Sequence, residues 1–196
     1  LDGDLRTLSA HRDGHALAPD GPVDTYADVV GLIQRLNAGG VDFGRRLSPR
    51  MLVDLLEVTG RWMSEFVVAL DPEAPALFPV AWAGETTSTN RFDTAREYTE
   101  RWHHQMQMRT AVGASGHPSI LLAARYLLPL LETSVRVLSH AYRDVAASEG
   151  TTVTLRLADG PQSAAWTLRR EESAWRLYGG EVERPTTHVS AGPDVL

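Results

Sequence analysis

The 196-residue chain has no cysteine, and all 19 of its basic residues are arginine, so lysine is absent as well. Without cysteine there is no disulfide, no zinc–thiolate site and no cysteine nucleophile. Arginine without lysine is the usage that GC-rich codons leave behind, and it describes a genome more than a chemistry. No stretch approaches the ~18 to 20 uninterrupted apolar residues of a membrane helix, and no charged-then-apolar signal segment opens the chain. A soluble, cytoplasmic protein is therefore expected. The 25 Asp+Glu outnumber the basic residues, for a formal charge of -6, which offers a polyanion no global attraction and argues against nucleic acid as a partner. The chain starts at Leu1 without Met, so residues upstream of it are expected.

What is present is enough apolar sequence, 43%, for a real core. Leu1, Leu5 and Leu8 recur at helical spacing until Gly14. Asp24 can cap a second helix through about Asn37, burying Val29, Val30, Ile33 and Leu36, with Gly39 and Gly40 as its stop. Ser48 before Pro49 is the clearest start, followed by an apolar stripe of Met51, Leu52, Leu55, Leu56, Met63, Phe66 and Val67 up to Asp71-Pro72. The segment from about 71 to 90, with Phe78, Trp82 and a polar run from Glu85 to Asn90, is long enough for a lid or pocket wall. Helical spacing returns from Asp93 to Val112, ends at Gly113, and resumes from Ser119 to about Ala147 with a break predicted at Pro129.

After Gly150 the texture changes to alternation. Thr151 to Ala158, Ser163 to Arg170 and Ala174 to Tyr178 read as strands, with a turn at Asp159-Gly160-Pro161, and together they predict an antiparallel meander. Helices followed by strands give an α+β chain with two segregated parts, 1–113 helical and 119–196 helix plus antiparallel sheet.

The densest chemistry lies in the segment from Glu97 to Arg109, where Glu100 and His104 stand four apart. At 100° per residue they lie within about 40° of each other on one helix face, so a carboxylate oxygen and an imidazole nitrogen can reach one cation. Glu97 and Gln107 lie near that face, whereas His103 is roughly 100° round from His104 and cannot share its ion. A catalytic Zn²⁺, Ni²⁺ or Fe²⁺ needs at least one more ligand from another helix. His11 and His15 form a competing pair, read as two exposed histidines at a fraying helix end. Trp62, Met63, Trp102, Met106 and Met108 read as core.

The stretches Leu1-Asp2-Gly3-Asp4-Leu5-Arg6, Leu8-Ser9, Arg12-Asp13-Gly14 and Glu97-Tyr98-Thr99-Glu100-Arg101-Trp102-x-His104-Gln105, through Ala111-Val112-Gly113, resemble the mycothiol-dependent maleylpyruvate isomerase N-terminal group of the DinB-like superfamily. Trp166-x-Leu168, Trp175-x-Leu177 and the stretch from Pro185 to Val189 are similar to the sterol-carrier-like domain that follows in those proteins. The resemblance implies a four-helix bundle holding a divalent metal, typically zinc, through a first-helix His and a Glu-x-x-x-His pair pointing into the bundle. Glu100 and His104 match the pair, and the first-helix His would lie just upstream of Leu1.

The resemblance further implies that the metal activates mycothiol or a similar low-molecular-weight thiol, whose thiolate attacks a small electrophile. Where the family isomerase has an Asp three residues after the second His, this chain has Gln107, which keeps hydrogen-bonding capacity but loses the charge; that departure bears on the isomerase reaction itself. Gln107 and Arg109 are the candidates for catalysis, and Arg101 for cofactor binding. Coordination of a thiol by a dication deprotonates it at neutral pH, a nucleophile that a Cys-free chain cannot supply itself. An isomerase or S-transferase is thus expected, the alternative being a non-catalytic DinB-like binding protein with a lost or repurposed metal site. A lipid carrier is the weakest reading, since Arg156, Arg169, Arg170, Glu171 and Glu172 leave few apolar strand positions to line a tunnel.

Overall fold

The computed structural model, which describes residues 1–77, 79–114, 120–157 and 163–192, is an α+β chain that divides into two units, Leu1–Leu70 and Asp71–Leu196. Phe78, Ser119 and the turn expected at Asp159-Gly160-Pro161 lie outside the described residues. The compact division falls after Leu70, whereas the sequence places the boundary between its two parts near residues 113 to 119. Among the described residues no helix is long and apolar enough to cross a membrane.

The first unit holds α1 (Asp2–Asp13), α2 (Tyr26–Gly44) and α3 (Pro49–Ala69). Gly14, at φ 66, closes α1, its own N–H and that of His15 returning to the Ala10 and Ser9 carbonyls. Thr25, not Asp24, caps α2: its hydroxyl accepts the Asp28 N–H at 3.2 Å and the Asp28 carboxylate accepts the Thr25 N–H at 2.9 Å. The Thr25 hydroxyl and N–H together hold the Asp28 carboxyl below its ordinary value.

Gly39 and Gly40 do not stop α2, which continues to Gly44. A Cβ at Gly40 would lie 2.9 Å from that of Asp2. The glycine therefore lets α2 approach the first turn of α1, and that contact offsets the ~1 kcal/mol a helical glycine costs. On α3, Ser48 accepts the Met51 N–H at 3.3 Å as expected. Its buried side differs from the predicted stripe, because Met51 and Leu56 are exposed while Thr59 is buried, its hydroxyl donating to the Leu55 carbonyl at 2.8 Å.

In the second unit the segment before α4 (Asn90–Ala111) is tied down. Pro75 bridges Thr89, the Ala76 N–H reaches the Ser88 carbonyl at 2.8 Å, and the buried Ser88 hydroxyl accepts the Val80 N–H at 2.8 Å while donating to Glu85. Gly84, at φ +82, lies so close to the His140 ring that no side chain would fit there. After α4 come α5 (Ala124–Ser134) and α6 (Val137–Ala141). Pro129 sits inside α5 and does not break it. The carbonyl it leaves unpaired belongs to Arg125, and both residues are exposed, so water can take the place of the missing N–H. The helix ends instead at Val135, where the chain steps into α6.

Strands β1 (Thr152–Leu157), β2 (Ala164–Glu171), β3 (Ala174–Gly179) and β4 (Thr187–Ala191) form one sheet in the order β3-β2-β1-β4. The first three make the expected meander. β4 was not foreseen, and it runs parallel to β1, so the sheet is mixed and not purely antiparallel. A crossover over residues 180–186 makes this possible, and a buried threonine ladder holds it. Thr154 and Thr167 face each other across β1 and β2 with hydroxyls 2.9 Å apart, and Thr167 donates to the Gly180 carbonyl at 2.9 Å. Thr167 has one proton and gives it to Gly180, so Thr154 must donate to Thr167. Thr152 and Thr186 then exchange backbone N–H to hydroxyl bonds at 3.0 and 3.1 Å, which sets the β4 register.

The opposite sheet face packs on α4 and α5. Trp102, Leu127, Leu130, Leu131, Val135 and Trp166 form the core, with Leu155, Leu157 and Leu177 against it. On this same face Arg170 has its Nε and Nη1 buried without a hydrogen-bond partner among the described residues.

Two stability outcomes follow. Thr167→Val should lower the urea midpoint by the equivalent of about 1 to 3 kcal/mol, because it strands the Thr154 hydroxyl and frees the crossover. Arg170→Met should be neutral or raise the midpoint, since it removes an uncompensated buried donor group and keeps the stem; a clear fall would mean that the guanidinium has an acceptor.

Candidate functional site

The orientation of α4 follows from its apolar residues. Trp102 enters the core, and Tyr98 and Met106, one turn to either side, pack against the same cluster. The Tyr98 hydroxyl donates to the Tyr126 carbonyl at 2.9 Å, with the two rings of Tyr98 and Trp102 6.4 Å apart, and burial pushes the Tyr98 phenol above its ordinary pKa. This side of the helix is closed by packing.

Glu100 and His104 lie roughly 160° round the helix from Trp102. The rotation that buries Trp102 therefore turns them to solvent, with side chains 48% and 64% exposed, respectively. The inward placement expected of the pair is not met toward α5, because one rotation cannot bury both Trp102 and His104 against the same neighbour. The two donors nevertheless come together: His104 Nε2 is 3.8 Å from Glu100 Oε2. Donors each about 2.1 Å from a tetrahedral ion are about 3.4 Å apart, so a few tenths of an ångström would close the gap around one cation. The pair fits a divalent ion as two of its ligands, one imidazole and one carboxylate. Among the described residues no group of three His, Cys, Asp or Glu converges, so no third ligand stands beside them.

Gln107 joins the pair. Its Oε1 is 2.9 Å from His104 Nδ1, and its Nε2 is 3.1 Å from His103 Nε2. His103, set aside because its direction keeps it from sharing an ion with His104, thus enters the site through an amide instead. The i,i+4 spacing of His103 and Gln107 is the signal that could have found it.

The other candidates stand elsewhere. Arg109 is only about 20° from Trp102 on the helix wheel and is half-buried, so it lies on the opposite side of α4 from the pair. Arg101 is exposed and about 100° away from Glu100. Glu97 accepts a hydrogen bond from Arg96 at 3.2 Å, and Arg96 also binds Asp93 at 2.9 Å. His11 is exposed, with its ring 4.9 Å from Phe66, and the end of α1 at Gly14 separates it from His15.

A depression of about 380 Å³ opens at the β2–β3 turn beside Glu149, Arg169, Arg170 and Arg176. Its charges compensate one another: Arg176 pairs with Glu171 at 3.3 Å, and Glu171 also accepts the Tyr178 hydroxyl at 2.6 Å. That polar wall is not the apolar lining of a lipid tunnel. No family model matches the chain, and no curated protein or solved structure does either.

The rotation of α4 has a direct consequence for stability. Trp102→Ala should cost about 3 to 5 kcal/mol in urea unfolding, while His104→Ala should stay within about 0.5 kcal/mol of the parent. Comparable losses from both would show that His104 is also buried.

Proposed function

We propose that this chain is a metal-dependent, thiol-cofactor-dependent isomerase or S-transferase of the DinB-like kind, built on a four-helix bundle over 1–113 and a sterol-carrier-like part over 119–196, and acting on a small electrophile. The observation that carries the reading is the 3.8 Å approach of His104 Nε2 to Glu100 Oε2 beside an amide that engages the other imidazole nitrogen. Glu100 and His104 would hold the ion, zinc being the simplest choice for one nitrogen and one oxygen ligand. When bound, the ion would supply a thiolate at neutral pH by lowering the pKa of mycothiol or a similar thiol.

The chain's own residues have simpler tasks. His104, with Nδ1 on Gln107, offers Nε2, and Glu100 offers a carboxylate that offsets part of the dication's charge. Gln107 orients without adding charge, which separates this site from the acidic pattern of the isomerase and leaves transfer to a small electrophile as the companion reading.

A second reading, a DinB-like binding protein that works without metal, is favoured by the exposure of both side chains and by the lack of a third ligand among the described residues. Elemental analysis of the purified full-length protein separates the two. About one equivalent of divalent metal is expected, most of it lost in His104→Ala and Glu100→Ala. Turnover should require added thiol and stop on chelation without loss of helical circular dichroism. Metal content unchanged by both substitutions, or turnover without thiol, would overturn the proposal.

A further inference from the structure

The geometry points to His103 as a positioning residue for the Glu100–His104 pair: acting through Gln107, it helps hold His104 as the Nδ1–H tautomer, with the Nε2 lone pair turned toward Glu100. The purpose of this device rests on the metal reading above; its existence does not.

A side-chain amide has one face that only accepts and one that only donates. Gln107 Oε1 lies 2.9 Å from His104 Nδ1, so that nitrogen must carry the proton. Gln107 Nε2 lies 3.1 Å from His103 Nε2, so that nitrogen must present its lone pair. In the neutral state both rings then carry hydrogen on Nδ1. This is the less common tautomer of a free neutral histidine side chain, and each ring holds it through the same amide.

Turning the amide over would exchange both roles at once, moving both rings to Nε2–H and aiming the His104 proton at Glu100. The two rings therefore change tautomer together. In the observed orientation His104 Nε2 and Glu100 Oε2 face each other at 3.8 Å, too far for a hydrogen bond. The Nε2 lone pair and the carboxylate then face each other, an arrangement that a shared cation would satisfy. Outer hydrogen bonds of this type set the tautomer of a ligating histidine. Here the outer partner is a second histidine whose own direction keeps it from the ion. Removing His103 leaves Gln107 with one bond in place of two, and the amide is freer to turn.

The test is a long-range ¹H–¹⁵N correlation spectrum of the ¹⁵N-labelled, metal-free full-length chain at about pH 8.5, well above the ~6.5 of a free histidine side chain. Wild type should show Nδ1–H signatures for both His103 and His104. His103→Ala should return His104 toward Nε2–H with helical circular dichroism unchanged, as should Gln107→Ala for both rings. Gln107→Glu, whose carboxylate can only accept, should keep His104 as Nδ1–H while releasing His103. Finding His104 as Nε2–H in wild type, or as unaltered Nδ1–H in His103→Ala, would overturn the assignment.

Zinc titration of the same samples separates the two claims. If the metal reading holds, His103→Ala should bind zinc about 10-fold more weakly than wild type. Wild type that shows the tautomers but binds no zinc would sink the metal reading and leave the positioning role standing.

Discussion

A helix of mixed polarity has one rotational choice, and on α4 the indole of Trp102 makes it. Its packing with Leu127, Leu130, Leu131, Val135 and Trp166 ties α4 to α5 and the sheet. Burying an aromatic of that size contributes several kcal/mol, whereas an exposed Glu–His contact contributes a fraction of one. The exposure of Glu100 and His104, the removal of Arg109 to the far side and the meeting of Gln107 with both histidines all follow from that unequal contest. Tyr98 reinforces it with a hydrogen bond to the Tyr126 carbonyl.

Polar groups hold the rest of the second unit as much as apolar ones do. The Thr154–Thr167–Gly180 chain carries the crossover over the sheet face opposite the core and so permits a parallel edge strand. Ser88 does the same for the segment before α4, accepting from Val80 and donating to Glu85. A segment that long, with only a 3₁₀ turn at Ala81–Ala83 among its described residues, suggests a lid, but the backbone bonds of Pro75, Ala76 and Asn90 tie its ends together. In both places a small hydroxyl satisfies buried backbone groups that a larger side chain could not reach.

Local chemistry was legible where its partners are also local. Ser48 with Pro49, and Gly14 at the end of α1, act within one turn and read directly from the sequence. Gly40 was misread because its reason, the close approach to Asp2, is distant along the chain. Pro129 was misread because its cost depends on whether the Arg125 carbonyl meets water. β4 left no local signal: its residues are mostly exposed, and its pairing depends on the crossover. At the site, the four-residue spacing of Glu100 and His104 was legible and so was the apolar weight of Trp102. Their near-opposition on the wheel was available too, but which of them faces inward is settled by packing. His103 was set aside on direction alone, although an amide one turn on can link two residues that do not share a face.

On the proposed reading, an exposed carboxylate and imidazole, oriented by a bridging amide, together receive one divalent ion. The most direct measurement is an anomalous difference map at the zinc edge from crystals of the full-length chain grown with zinc. One peak about 2.1 Å from both His104 Nε2 and a Glu100 carboxylate oxygen is expected. Zinc bound elsewhere on the chain, with this pair bare in the same crystal, would overturn the proposed metal site.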